Sequence, residues 1–147
     1  MKYLLEIEID LPRDRVIELF DNPDNMAKWQ PGFVSMEHLS GTPGEAGAKS
    51  LLNYEMGKRV VEMTETIESR NLPDEFIAIY EAKKVWNRIV NNFIALDDNR
   101  TKWVFDCEFK MGGVMGVISK VMPGMFKKQS LENMQRFKEF AEGSSTT

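Results

Sequence analysis

Residues 111–143 read MGGVMGVISKVMPGMFKKQSLENMQRFKEFAEG, and this stretch decides the fold. Apolar and small residues recur in it at steps of three and four, which places them on one face of a helix. They are Val114, Val117, Ile118, Val121, Met122 and Met125 in the first part, and Ser130, Met134, Phe137 and Ala141 in the second. The spacing predicts a long C-terminal helix from about Gly112 to Ala141, broken or bent near Pro123-Gly124.

The chain before this helix alternates apolar and polar side chains, as β-strands with one buried face do. The pattern begins with a strand between Tyr3 and Ile9 and is clearest at 101–111, where the side chains of alternate residues are large and apolar. Two short helices, at about 12–21 and around 26–29, follow the first strand. The remaining strands are predicted at about 33–40, 48–56, 59–69, 75–82 and 85–96.

Short turns such as Gly57-Lys58 join these strands, so consecutive strands pair in antiparallel fashion. One long helix must then cover the apolar face of the sheet. The predicted fold class is α+β, with a curved antiparallel sheet of about seven strands around the C-terminal helix. We expect a single domain over 1–142 and a disordered polar tail at 143–147. The space between a curved sheet and one helix suits a small molecule.

Charge and composition exclude several classes of protein. The net charge is −4, from 19 basic and 23 acidic residues, which argues against a general nucleic-acid binder. A single cysteine, Cys107, cannot form an internal disulfide. Acidic residues interrupt the first apolar run and no run of about 18 apolar residues exists, so we expect no signal peptide, no membrane insertion and a cytoplasmic location. One histidine, His38, is too few for a histidine-rich metal site, and we expect neither metal nor cofactor.

Several short patterns, spread over nearly the whole chain, occur in the order and spacing of a known family. They are Pro12, Val16 and Phe20, then Asn22-Pro23 and Trp29, then Gly41, Pro43 and Gly47, then Asn71-Leu72-Pro73, then Asn99-Arg100-Thr101, and finally the helix that ends LENMQRFK. In these features the chain resembles the START/Bet v 1-like (SRPBCC) superfamily, in its bacterial polyketide cyclase/dehydrase and lipid-transport branch. The resemblance implies a helix-grip fold with a cavity for hydrophobic ligands. It implies no universal catalytic motif.

The residues expected to line this cavity share the inward parity of strands 3, 4, 6 and 7 or the helix stripe. They are Leu52, Tyr54, Met56, Met63, Glu65, Arg88, Asn92, Trp103, Phe105, Cys107, Met115 and Met122. Met115, Met122 and Met125, with the bend at Pro123-Gly124, are the candidates for a flexible gate beside the cavity. Simple core packing is the alternative for the same stripe.

Some orientations stay open in the sequence. Glu65 points inward if its strand is regular and outward if a bulge lies near Thr64. On the sixth strand, either Arg88 and Asn92 or Asn87 and Asn91 face the cavity. The second strand gives no clear inward parity.

Two reactive side chains have ordinary interpretations. His38 lies in no motif, which favours a surface or structural histidine over a general base. Cys107 lies between Phe105 and Phe109, which favours a core or cavity-wall residue over a nucleophile.

The sequence therefore predicts a protein that binds a small hydrophobic or amphipathic ligand in an internal cavity. One alternative is a polyketide cyclase or dehydratase of the same fold, with Glu65 and Tyr54 or Arg88 as the acid–base pair. The other is a protein-interaction module, such as a chaperone activator, that uses its outer surface. A small or filled cavity would favour the latter.

Overall fold

The computed structural model describes residues 1–113 and 124–144. The first part of the predicted C-terminal helix, with Met115 and Met122, and residues 145–147 lie outside the described residues. The elements are β1 (Lys2–Ile9), α1 (Arg13–Phe20), a 3-10 turn (Pro23–Asn25), α2 (Met26–Trp29), β2 (Phe33–Ser40), β3 (Lys49–Met56), β4 (Arg59–Asn71), β5 (Glu75–Ala82), β6 (Val85–Asp97), β7 (Arg100–Met111) and α3 (Gly124–Ser144).

All seven strands form one antiparallel sheet in the order β1-β7-β6-β5-β4-β3-β2. Gly57 makes the β3–β4 turn with a φ of 66°, and Lys84 makes the β5–β6 turn with a φ of 60°. Positive φ at these positions matches the right-handed twist of hairpin strands. The predicted α+β helix-grip architecture is confirmed: a curved seven-stranded sheet, two short helices after β1 and a long C-terminal helix.

Helix α3 is held to the sheet by its second half. Met134, Phe137 and Ala141 are buried at three- and four-residue steps, and they pack in one core cluster with residues of β1, α1 and β7. This is the stripe expected from the sequence. The helix also includes Gly143 and Ser144, which the sequence assigns to a polar tail.

The two short helices fill the end of the sheet near this core. The ring of Phe20, the last residue of α1, makes edge-to-face contacts with Phe93, Trp103 and Phe137. Asp21, directly after it, accepts two hydrogen bonds from the Arg70 guanidinium, at 2.7 and 2.5 Å. One end of the space between sheet and helix is therefore packed with aromatic rings. Of the helices in the described ranges, none is long and apolar enough to cross a membrane.

Candidate functional site

A cavity of about 950 Å³ lies between the inner face of the sheet and the first half of α3. Most of its wall consists of apolar side chains, notably Met36, Met56, Met63, Phe76, Ile89, Trp103 and Phe105. The helix contributes Phe126, Met134 and three polar residues, Gln129, Ser130 and Asn133. The volume is in the range of small-molecule sites, which run from roughly 300 to 1,000 Å³.

A row of polar side chains crosses the floor of this cavity, and we call it the polar row. In the strand register His38 pairs with Ser50, Ser50 with Glu65, Glu65 with Tyr80 and Tyr80 with Asn87. All five residues line the cavity. Because directly paired residues on one face lie about 5 Å apart, the row forms a continuous polar strip from β2 to β6.

Glu65 is the central residue of the polar row. Its side chain is largely out of contact with solvent, since the residue is only 8% exposed. Burial raises the pKa of the Glu65 carboxyl above its ordinary value, and the nearby Tyr80 hydroxyl offsets part of the rise. Burial also raises the pKa of Tyr54 and of Tyr80, and the charge of Glu65 adds to both shifts. A carboxyl in this setting can serve as a proton donor at higher pH than an exposed one.

Hydrogen bonds fix the apolar end and the roof of the cavity. The Trp103 indole N–H donates to Asn91 Oδ1 at 2.9 Å, and Asn91 Nδ2 donates to the carbonyl of Phe76 at 3.3 Å. The hydroxyls of Tyr3 and Ser130 share a hydrogen bond of 2.6 Å between β1 and α3. These bonds satisfy buried polar groups and hold the cavity wall in one arrangement.

Seven of the predicted lining residues lie in the cavity wall: Tyr54, Met56, Met63, Glu65, Trp103, Phe105 and Cys107. Leu52 has the same parity and is fully buried, but it is not part of the wall. Met115 and Met122 lie outside the described residues. The β4–β5 register shift falls between Ile67 and Ser69 rather than near Thr64, and Glu65 faces inward.

The prediction of Arg88 and Asn92 as lining residues is wrong. The opposite face of β6, with Asn87, Ile89 and Asn91, lines the cavity. Arg88 instead forms a bidentate ion pair with Glu68, at 2.9 and 2.7 Å, away from the cavity. Both faces of β6 mix polar and apolar residues, so the pattern alone did not decide which face points inward.

Sequence reasoning missed Ser50 and Tyr80 and left Asn87 as one of two alternatives on the sixth strand. It also favoured a surface or structural role for His38, which is exposed but lines the cavity. The two hairpin turns carried a usable signal. A two-residue turn fixes the strand register, so the Gly57-Lys58 turn places Ser50 opposite Glu65. The turn between β5 and β6 likewise places Asn87 opposite Tyr80.

The described residues contain no group of three or more His, Cys, Asp or Glu side chains that could hold a metal ion. Burial raises the pKa of the Cys107 thiol, with smaller contributions from neighbouring groups. A thiol in this state is a weak nucleophile. Among the described lining residues, carboxyl, phenol, hydroxyl, imidazole and amide groups can form hydrogen bonds with a bound molecule, and the Glu65 carboxyl can donate a proton to it.

We expect the stability of the protein to fall, relative to that of Glu65→Gln, as pH rises. Because the folded state raises the pKa of Glu65, it binds more protons than the unfolded state between the ordinary and the raised pKa. The neutral carboxyl therefore makes its full contribution to stability below the ordinary pKa. That contribution is lost as the pH rises from the ordinary to the raised pKa of Glu65. Urea unfolding of both proteins from about pH 5 to about pH 8 measures the difference. Glu62→Gln, an exposed change on the same strand, should behave like the wild type, and parallel curves for all three proteins would contradict a raised pKa.

The sheet, the gripping helix and the cavity together define a helix-grip protein with an internal ligand-sized space. Residues 2–142 match the family model described as "Polyketide cyclase / dehydrase and lipid transport". The chain belongs to this family, within the START/Bet v 1-like superfamily. A search of curated protein sequences finds no significant match.

Several solved structures share the fold at low sequence identity. Ara h 8.0201 has a TM-score of 0.78 and 13% identity, with 96% of this chain and 97% of that one covered. The ZhuI aromatase/cyclase from Streptomyces sp. R1128 has a TM-score of 0.76 and 15% identity, with 97% and 93% covered. A point mutant of Thalictrum flavum norcoclaurine synthase has a TM-score of 0.73 and 11% identity, with 99% and 96% covered. At these identities the likeness establishes the fold alone.

Proposed function

We propose that the protein binds a small amphipathic molecule in its cavity. The observation that carries the proposal is the polar row on the floor of an otherwise apolar cavity of about 950 Å³. An apolar body would pack against Phe76, Trp103 and Phe105 at one end of the cavity. The polar group of the same molecule would then lie over Glu65, where hydrogen-bonding groups are available on neighbouring strands.

The energetic reason is that apolar area removed from water stabilises the complex by about 25 cal/mol per Å². A polar group carried into the cavity costs free energy unless it finds partners. The polar row supplies those partners at one place, so it orients the ligand as well as retaining it. Membership in a polyketide cyclase/dehydrase and lipid-transport family supports this proposal.

An enzyme of the cyclase or dehydratase type is the second candidate function, and the position of Glu65 favours it specifically. A buried carboxyl with a raised pKa can give a proton to a substrate oxygen. Arg88 cannot be its partner, because it lies on the outer face. Tyr54 and Tyr80 are the remaining acid–base groups beside it. The interaction-module alternative receives less support, since the described residues leave a cavity of about 950 Å³ between the sheet and the helix.

We expect a neutral fluorescent probe, N-phenyl-1-naphthylamine, to bind with a Kd on the order of micromolar. Ile89→Trp, which puts a larger side chain on the cavity floor, should weaken this binding by about tenfold. Ile89 lies in the middle of the sheet, paired with Ala78 and Cys107, so the added ring has no direction to take except into the cavity. A fluorescence titration measures both affinities.

The matched control is Ile94→Trp, because Ile94 lies on the same strand and is exposed on the opposite face. It should bind the probe like the wild type. If the wild type showed no saturable binding of the probe, the cavity would be rejected as the binding site. The same conclusion would follow if Ile89→Trp and Ile94→Trp lost affinity for the probe equally.

A further inference from the structure

We propose that the ligand of this cavity carries a basic amine, and that its ammonium group binds Glu65 between Ser50 and Tyr80. This inference rests on the proposed function and specifies the chemical class of the ligand. It follows from the charges that line the cavity, from the acceptors around Glu65 and from the aromatic rings beside it.

The charged groups of the wall favour a cation. Three acidic residues, Asp21, Glu55 and Glu65, border the described part of the cavity, and of these the carboxylate of Glu65 lies on the floor within the polar row. Arg70 is the sole lysine or arginine among the described lining residues, and its guanidinium is already held by both oxygens of Asp21. Among the described lining residues a ligand carboxylate would therefore meet no available counter-ion, and it would lie near Glu65 at a Coulombic cost.

The acceptors around Glu65 match the three donors of an ammonium group. Ser50 and Tyr80 are the direct register partners of Glu65 on its two sides, so all three side chains project from adjacent positions of one face. A nitrogen placed over Glu65 can donate to the carboxylate and to the hydroxyl oxygens on either side. Tyr54 and Tyr80 also line the cavity near Glu65, and aromatic rings attract organic cations.

No lysine or arginine faces Glu65 from the described elements packed around it. The ionisable lining groups nearest in the strand register are Tyr54 on β3, Tyr80 on β5 and His38, two strands away on β2. The described part of α3 presents only uncharged lining residues, among them Gln129, Ser130 and Asn133. Glu65 is thus more than nine-tenths buried, faces the cavity and has no cationic partner there.

The test compares three molecules with the same ten-carbon chain as competitors of N-phenyl-1-naphthylamine, below the concentrations at which they form micelles. They are decylamine, decanol and decanoate. We expect decylamine to bind at least about tenfold more tightly than decanol, and decanoate to bind most weakly. The affinity for decylamine should fall as pH falls, because protons then compete with the ammonium for the Glu65 carboxylate.

Glu65→Gln should remove both the amine preference and its pH dependence while still binding the neutral probe. Glu62→Gln removes the same charge from the exposed face of β4 and should keep both. Equal binding of the three competitors, a preference for decanoate, or an amine preference that survives Glu65→Gln would overturn the inference but leave the cavity-binding proposal standing. Absence of probe binding in the wild type would reject both.

Discussion

Trp103→Ala should lower the free energy of unfolding by about 3–5 kcal/mol, which would be among the largest effects of any single change in this protein. Trp103 is only 2% exposed and contacts the rings of Phe20, Trp29, Phe93 and Phe137, which belong to four different elements. Truncation also leaves Asn91 Oδ1 without its donor, and a buried unpaired acceptor costs a further share of free energy. Urea or guanidinium unfolding followed by circular dichroism measures the loss.

The matched control is Trp86→Ala, on the outer face of β6. There the ring is half-buried and lies 5.0 Å from the Lys110 ammonium. Loss of that exposed cation–π contact should cost no more than about 1 kcal/mol. If Trp103→Ala destabilised the protein no more than Trp86→Ala, the aromatic cluster would not be the core on which the fold depends.

On β7 the sequence pattern alone was enough to predict which face of the strand is buried. Trp103, Cys107 and Phe109 have the same parity and are buried in the structure, as alternation predicts. This strand separates large apolar residues from charged ones cleanly, so only one face can be buried at acceptable cost. The same is true of β1 and of the second half of α3. Because these elements meet in one core cluster, the fold was predictable from them.

Strand β2 shows a second situation, in which local irregularity hides the pattern. Phe33 and Leu39 have one parity and Met36 the other, and the strand is mostly exposed. The β2–β3 register shifts twice, between Phe33 and Ser35 and between His38 and Ser40. Each shift reverses which residues face inward. Single-sequence periodicity cannot locate such shifts, and the inward position of His38 was missed for this reason.

Strand β6 shows a third situation, in which the inner face is itself polar. Asn87 and Asn91 face the cavity, where they join the polar row and the Trp103 hydrogen bond. Val90 lies on the other parity, with Arg88. Burial of apolar surface therefore does not distinguish the two faces. A strand that must present polar side chains to a ligand departs from the rule that inward-facing residues are apolar. Sequence patterns therefore predicted the fold better than the polar residues that line the cavity.

Phe137→Ala should destabilise the protein by about 3–5 kcal/mol, because Phe137 is fully buried and attaches α3 to the rest of the core. Its ring centroid lies 5.1 Å from that of Trp29 and 5.3 Å from that of Trp103, so its loss opens a void between α2, β7 and the helix. Thermal and chemical unfolding measure this effect. Binding of the neutral probe at low temperature reports separately whether the cavity persists.

The informative comparison for Phe137→Ala is Phe126→Ala, because Phe126 lies about three turns nearer the start of the same helix. Phe126 is half-buried, contacts Phe109 at 5.2 Å and lines the cavity. Its truncation should cost about 1 kcal/mol of stability and change the affinity or exchange rate of the probe. The two variants thereby separate two roles of one helix, since its second half attaches it to the core while its first half covers the cavity. Equal losses of stability in both variants would show that α3 is packed against the core along its whole described length. That result would contradict a cavity of about 950 Å³ beneath the first half of the helix.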